Sequence, residues 1–108
     1  MKDDSIYIDH IKASIDRIQQ YISGLEQSTF LEDLKTQDAV VRQLEIIGEA
    51  TKKISFELRE KYPAIPWSDM AGMRDRLAHD YIDVDFEIVW KTVSENIPQL
   101  KELLAALK

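Results

Sequence analysis

The chain has 108 residues, no cysteine, 3 glycines, 3 prolines and a formal charge of −6 at neutral pH. That length fits a single domain, residues 1–108, with one hydrophobic core. The missing cysteines exclude disulfides and cysteine-based metal sites or nucleophiles. The acidic first residues and the absence of a long apolar run read against a signal peptide or membrane span, so a cytoplasmic location is expected. Few helix breakers among many Ile, Leu, Glu, Lys and Gln residues predict helices joined by short connections.

Asp4 or Ser5 offers a cap for a first helix. Ile8, Ile11, Ile15, Ile18, Ile22 and Leu25 then recur at steps of three and four, an apolar stripe along one helical face. Gly24 and Gln27-Ser28-Thr29 mark its end, and Phe30 with Leu31 anchors the connection. A second helix is expected from about Thr36 to Lys61, with Val40, Leu44, Ile47, Thr51, Ile54 and Leu58 as its stripe. Val41, Ile46 and Ala50 widen that surface, so the helix is buried on more than one side. The second side faces either the rest of the bundle or another subunit.

Tyr62-Pro63-Ala64-Ile65-Pro66-Trp67 interrupts the helical pattern, because prolines do not fit a helix interior. Ile65 and Trp67 are expected to turn inward. Ser68 is the expected cap of a third helix whose core face is Trp67, Met70, Met73 and Leu77. Gly72 within it either loosens the helix or permits close packing. Asp83-Val84-Asp85 caps a last helix, roughly Phe86 to Leu107, which Pro98 should kink or divide. These elements make an all-α, four- to five-helix bundle.

The chemistry concentrates in Arg74-Asp75-Arg76-Leu77-Ala78-His79-Asp80-Tyr81, which holds one of the two histidines. Histidine exchanges protons near neutral pH, and a guanidinium holds a phosphate through paired hydrogen bonds. Together these groups suffice to cleave RNA without a metal: His79 as general base or acid, Arg74 stabilising the phosphate. The nucleophile is then the substrate's own 2′-hydroxyl, so DNA is not cut. No HExxH or zinc-spaced cluster suggests metal chemistry, and no cofactor is implied. Residues five apart on a helix lie about 140° apart around its axis. The site therefore needs either a helix end between Arg74 and His79 or a second copy of the motif from a two-fold partner.

Bland readings exist for the same residues. Arg74 and Arg76 beside Asp75, Asp80 and Asp83 fit ordinary solvated ion pairs, and Tyr81 fits an amphipathic packing residue. His79 beside Asp80 fits a surface histidine, as does His10 beside Asp9. The charge of −6 also opposes nucleic-acid binding unless Arg42, Lys52, Lys53, Arg74 and Arg76 gather locally.

In context the motif resembles a known family. Leu44-Glu45-Ile46-Ile47-Gly48-Glu49-Ala50, Pro66-Trp67, Met73-Arg74-Asp75, His79-Asp80-Tyr81, Asp83-Val84-Asp85 and Ile88-Val89-Trp90 resemble, in order, the HepT-like ribonuclease toxins of the HEPN superfamily. The resemblance implies a homodimeric HEPN-type bundle with both motifs lining a shared cleft. It implies a metal-independent endoribonuclease with Arg74 and His79 at the catalytic positions, acting as the toxin of a toxin–antitoxin pair. The implied partner is an MntA-type nucleotidyltransferase antitoxin that transfers AMP from ATP to the motif tyrosine, here Tyr81. The chain departs from many HEPN motifs in carrying Asp75 where Asn follows the arginine. An acid there can orient Arg74 or His79 and also repels phosphate. Asp75, Arg76 and the polar Glu49 are therefore supporting candidates, Glu49 being equally suited to a packing or capping contact. The alternative is a catalytically silent HEPN module that binds a nucleotide or its partner.

Overall fold

The computed structural model describes residues 3–79 and 84–107, and the side chains of all of these except 74 and 76–79. Helix α1 spans Asp4–Ile22 and α2 Gln27–Leu31; α3 spans Leu34–Lys52 and α4 Phe56–Lys61. Helix α5 spans Trp67–His79, α6 Phe86–Lys91 and α7 Ile97–Leu104, with a π-helical turn over Thr92–Asn96 joining the last two. Taken as one interrupted rod, α6 and α7 join α1, α3 and α5 as the principal helices of an all-helical bundle. Helix α3 is its spine, packing against α1 on one side and α5 on another, while α2 bridges α3 and α6, and α7 leans on α1.

The apolar stripes account for this arrangement. Ile8, Ile11, Ile15 and Ile18 of α1 meet Val40, Leu44 and Ile47 of α3 in one core that also takes in Met70, Val93, Ile97, Leu100 and Leu104. Full burial of such side chains contributes about 1.5–3 kcal/mol each before ordering entropy is set against it. The hydrophobic grouping thus defines the bundle, whereas the helix ends follow from individual hydrogen bonds.

Those bonds shift several expected boundaries. The α1 cap is Asp3, one residue before Asp4 and two before Ser5, the expected caps, and its carboxylate accepts from the Ser5 N–H at 2.9 Å. Gly24 closes the turn after α1 at φ +79°, a region that suits glycine. Gln27-Ser28-Thr29 is not a break: it opens α2, which seats the fully buried Phe30. Gln37 secures the end of α2 by donating from Nε2 to the carbonyls of Phe30 and Leu31 at 3.0 and 3.1 Å.

The single helix expected from Thr36 to Lys61 is two. It starts at Leu34, capped by Asp33, and ends at Lys52. The chain re-enters a helix at Phe56 because the Ser55 hydroxyl accepts from the Leu58 N–H at 3.2 Å. Asp4 fixes that break from α1 by accepting both the Ser55 N–H, at 2.8 Å, and the Ser55 hydroxyl. Arg59 then reaches back from α4, donating to the Thr51 carbonyl at 2.7 Å and covering the C-terminus of α3.

Ile65 and Trp67 are buried as expected, with the Trp67 indole donating to the Tyr62 carbonyl at 3.0 Å. Ser68 does not cap α5. The helix begins at Trp67, and the Met70 N–H already bonds to the Pro66 carbonyl. Asp85 caps α6, accepting from the Glu87 and Ile88 N–H groups. Asp83 lies outside the described residues. Pro98, at the start of α7, lacks the N–H that would bond to Ser94, and the π turn just before it absorbs the misfit. Thr92 and Ser94 hydroxyls donate to the Ile88 and Trp90 carbonyls at 2.9 and 2.6 Å within this interruption.

Candidate active site

Helix α5 carries most of the motif. Trp67 and Met70 are buried, so one face of the helix is pinned to the core and its rotation about its own axis is fixed. Arg74, Asp75, Arg76 and His79 all belong to this helix, which continues to His79 without an end between the arginine and the histidine. Positions 74 and 79 are therefore separated by about 140° around the axis and by a rise of about 7.5 Å. Of the two geometries open to the motif, a helix end that folds position 79 back toward 74 is absent. Tyr81 and Asp80 lie outside the described residues.

Asp75 is exposed and forms an ion pair with Lys52, the last residue of α3, at 2.8 Å. This contact joins the two helices beside the motif across 23 residues of sequence. Glu49 is also exposed, one turn before Lys52 on α3, and takes part in a polar contact of its own. Of the cations whose side chains are described, Lys52 reaches the motif through Asp75, Lys53 is the C-cap of α3, and Arg42 is exposed ten residues, about 15 Å, before Lys52. His10 is exposed on α1, with its ring edge-on to Tyr7 at 6.4 Å between centroids.

Sequence reasoning missed the Lys52–Asp75 pair. The only signal available was the acid directly after Arg74, which leaves a charge needing an answer from some other element. Among the described residues, no group of three or more His, Cys, Asp and Glu is placed to hold a metal ion. Among the same residues, no helix is long and apolar enough to cross a membrane.

A small helical bundle presenting an arginine and a histidine on one core-anchored helix defines the class of fold, and comparison with known proteins supplies the family. Residues 11–107 match the family model described as "Ribonuclease HepT-like". The chain belongs to the ribonuclease HepT-like family, as the ordered motifs led us to expect. It is 47% identical over 95 residues to a protein of Thermococcus cleftensis named "Probable ribonuclease HepT", covering 88% of this chain and 86% of that one. It is 39% identical over 102 residues to a "Putative RNase" of Caldanaerobacter subterraneus subsp. tengcongensis, covering 94% and 91%. A Methanocaldococcus jannaschii protein named "Gamma-glutamylcyclotransferase and putative RNase" is 46% identical over 101 residues; the match covers 94% of this chain and only 46% of that longer protein. No solved structure matches the chain significantly.

Proposed function

We propose that this protein is a metal-independent endoribonuclease whose active site is assembled from Arg74 and His79 in a homodimer. The observation that carries this reading is the continuity of α5 through both residues in a chain of the ribonuclease HepT-like family. An arginine and a histidine about 140° apart on one helix are poorly placed to act on the same phosphate from a single chain. A two-fold axis beside α5 brings the arginine of one subunit toward the histidine of the other, because an isologous interface meets itself.

In such a cleft His79 takes the proton of an RNA 2′-hydroxyl as the 2′ oxygen attacks the adjacent phosphorus. The bond from phosphorus to the 5′ oxygen breaks, a 2′,3′-cyclic phosphate forms, and the departing 5′ oxygen receives a proton from a protonated His79. Arg74 binds the non-bridging oxygens, whose charge grows in the transition state. The substrate supplies its own nucleophile, so DNA survives.

The biological role we assign is that of a toxin held in check by a nucleotidyltransferase antitoxin. Attack of the Tyr81 hydroxyl on the α-phosphorus of ATP would release pyrophosphate and leave AMP on the tyrosine. An anion added to the motif in this way would compete with the substrate phosphate for Arg74. The exposed carboxylate of Asp75 and the acidic surface favour a second reading, a silent module that binds nucleotide or partner without cutting.

Incubating the unmodified protein with total RNA in EDTA separates the two. Cleavage leaving 2′,3′-cyclic ends, lost by at least about 100-fold in His79→Ala and in Arg74→Ala, supports the ribonuclease. Tyr81→Phe should keep cutting while refusing AMP. Inert wild-type protein without an adenylate on Tyr81 supports the silent module.

A further inference from the structure

The carboxylate of Asp75 poses a physical problem for any phosphate-binding role of its neighbour. A fixed negative charge one residue along the chain from Arg74 repels an incoming phosphate backbone. The structure contains a specific answer in Lys52, whose ammonium lies 2.8 Å from the Asp75 carboxylate. Lys52 is the last residue of α3, where a cation ordinarily favours its own helix terminus. Instead its side chain reaches across to α5.

Stability is a weak reason for this pair. Its side chains are 38% and 53% exposed, and ion pairs so open to solvent add little to folding. Its effect on local charge is larger relative to its cost, because it acts within a few ångströms of the motif, inside a Debye length of about 8 Å at physiological salt. Lys52 also comes from the element that packs along α5, so the compensation is built into the helix pair and does not depend on loop conformation.

We propose that Lys52 is a positioning residue for the RNA-binding site: by pairing with Asp75 it offsets the negative charge at the position after Arg74 and so lowers the repulsion an incoming RNA phosphate meets there. The proposal rests on the ribonuclease reading above, and it adds a residue on a different helix that acts through Asp75. It differs from direct phosphate contact by Lys52, because its benefit exists only while position 75 is acidic.

A double-mutant cycle with Lys52→Ala and Asp75→Asn tests that dependence. Two readouts are needed: steady-state cleavage of a fluorescein-labelled single-stranded RNA of random sequence, and anisotropy binding of its 2′-O-methylated, uncleavable counterpart. With Asp75 present, Lys52→Ala should raise KM and Kd roughly three- to tenfold, with kcat nearly constant. In the Asp75→Asn background, the same substitution should change either value by less than about twofold. Lys52→Arg should preserve the wild-type values, and thermal melting should be unaltered in every variant.

An equal loss in both backgrounds would make Lys52 a phosphate ligand in its own right and overturn the proposal. No loss in either background would overturn it too. His79→Ala is the separate control: if that variant cuts RNA as fast as wild type, the ribonuclease assignment falls, whereas the binding cycle alone decides the role of Lys52.

Discussion

Gly72 lies in the interior of α5, two residues before Arg74, and a Cβ built on it meets no heavy atom within 4 Å. Among the described residues of one chain nothing packs closely on this position, which leaves backbone freedom as the consequence of the glycine within the chain. Gly72→Ala should stabilise the protein by about 1 kcal/mol, because alanine loses less conformational entropy on entering a helix. Circular dichroism melting should register a Tm several degrees higher; a lower Tm would contradict the open space above the α-carbon.

Asp33 makes a different kind of residue-level statement. Its carboxylate accepts from the Thr36 hydroxyl at 2.6 Å and the Thr36 N–H at 3.0 Å, and these bonds hold its pKa below the ordinary 3.8. Asp3 is lowered likewise by the Ser5 N–H and hydroxyl at the start of α1. As pH falls, the unfolded chain takes up these protons first, so stability rises with pH in this window. The contribution is complete above about 3.8 and disappears as pH drops through the lower folded values. Asp33→Asn keeps an acceptor for the Thr36 N–H but cannot titrate. Urea unfolding at successive pH values between 5 and 2.5 should therefore give it a shallower acid limb than wild type.

At the scale of elements, the contact between Asp4 and Ser55 matters most, because it places the break that ends the spine helix. Asp4→Ala removes the acceptor for the Ser55 N–H and hydroxyl at once. The loss should be about 1–2 kcal/mol, read as a lower urea midpoint with an unchanged m-value. The same contact explains what periodicity could and could not reveal. Val40, Leu44, Ile47, Thr51, Ile54 and Leu58 keep helical spacing straight through the break, so apolar pattern alone joins α3 to α4. The break comes from hydrogen bonds made by a residue 51 positions away, which no local pattern encodes. Conversely, Ile65, Trp67, Asp85 and Pro98 could be placed from sequence, because proline geometry and an acidic cap act within a few residues. Arg74 and His79 stood out in the sequence as candidates by residue type, whereas their membership of one unbroken helix did not. Lys52 was invisible as a neighbour of Asp75 because their contact is tertiary.

At the scale of the whole molecule, the question is whether the two motif residues of one chain serve the same phosphate. An unbroken α5 separates positions 74 and 79 by about 140°, which favours a cleft shared between subunits. Mixing Arg74→Ala with His79→Ala subunits tests this, since each variant alone lacks one group that the proposed mechanism requires. In a mixed dimer whose sites each pair the arginine of one subunit with the histidine of the other, one composite site inherits both substitutions while the other inherits the intact arginine and the intact histidine. Random reassociation of equal amounts makes about half of the dimers mixed, so about a quarter of wild-type cleavage should return. If each site draws both residues from a single chain, every site in the mixture lacks one group and activity stays at the level of the separate variants. Recovery also requires exchange of subunits, which native mass spectrometry of the mixture detects directly. Mixed dimers without recovered activity would place Arg74 and His79 in the same subunit's site and remove the argument for a shared cleft.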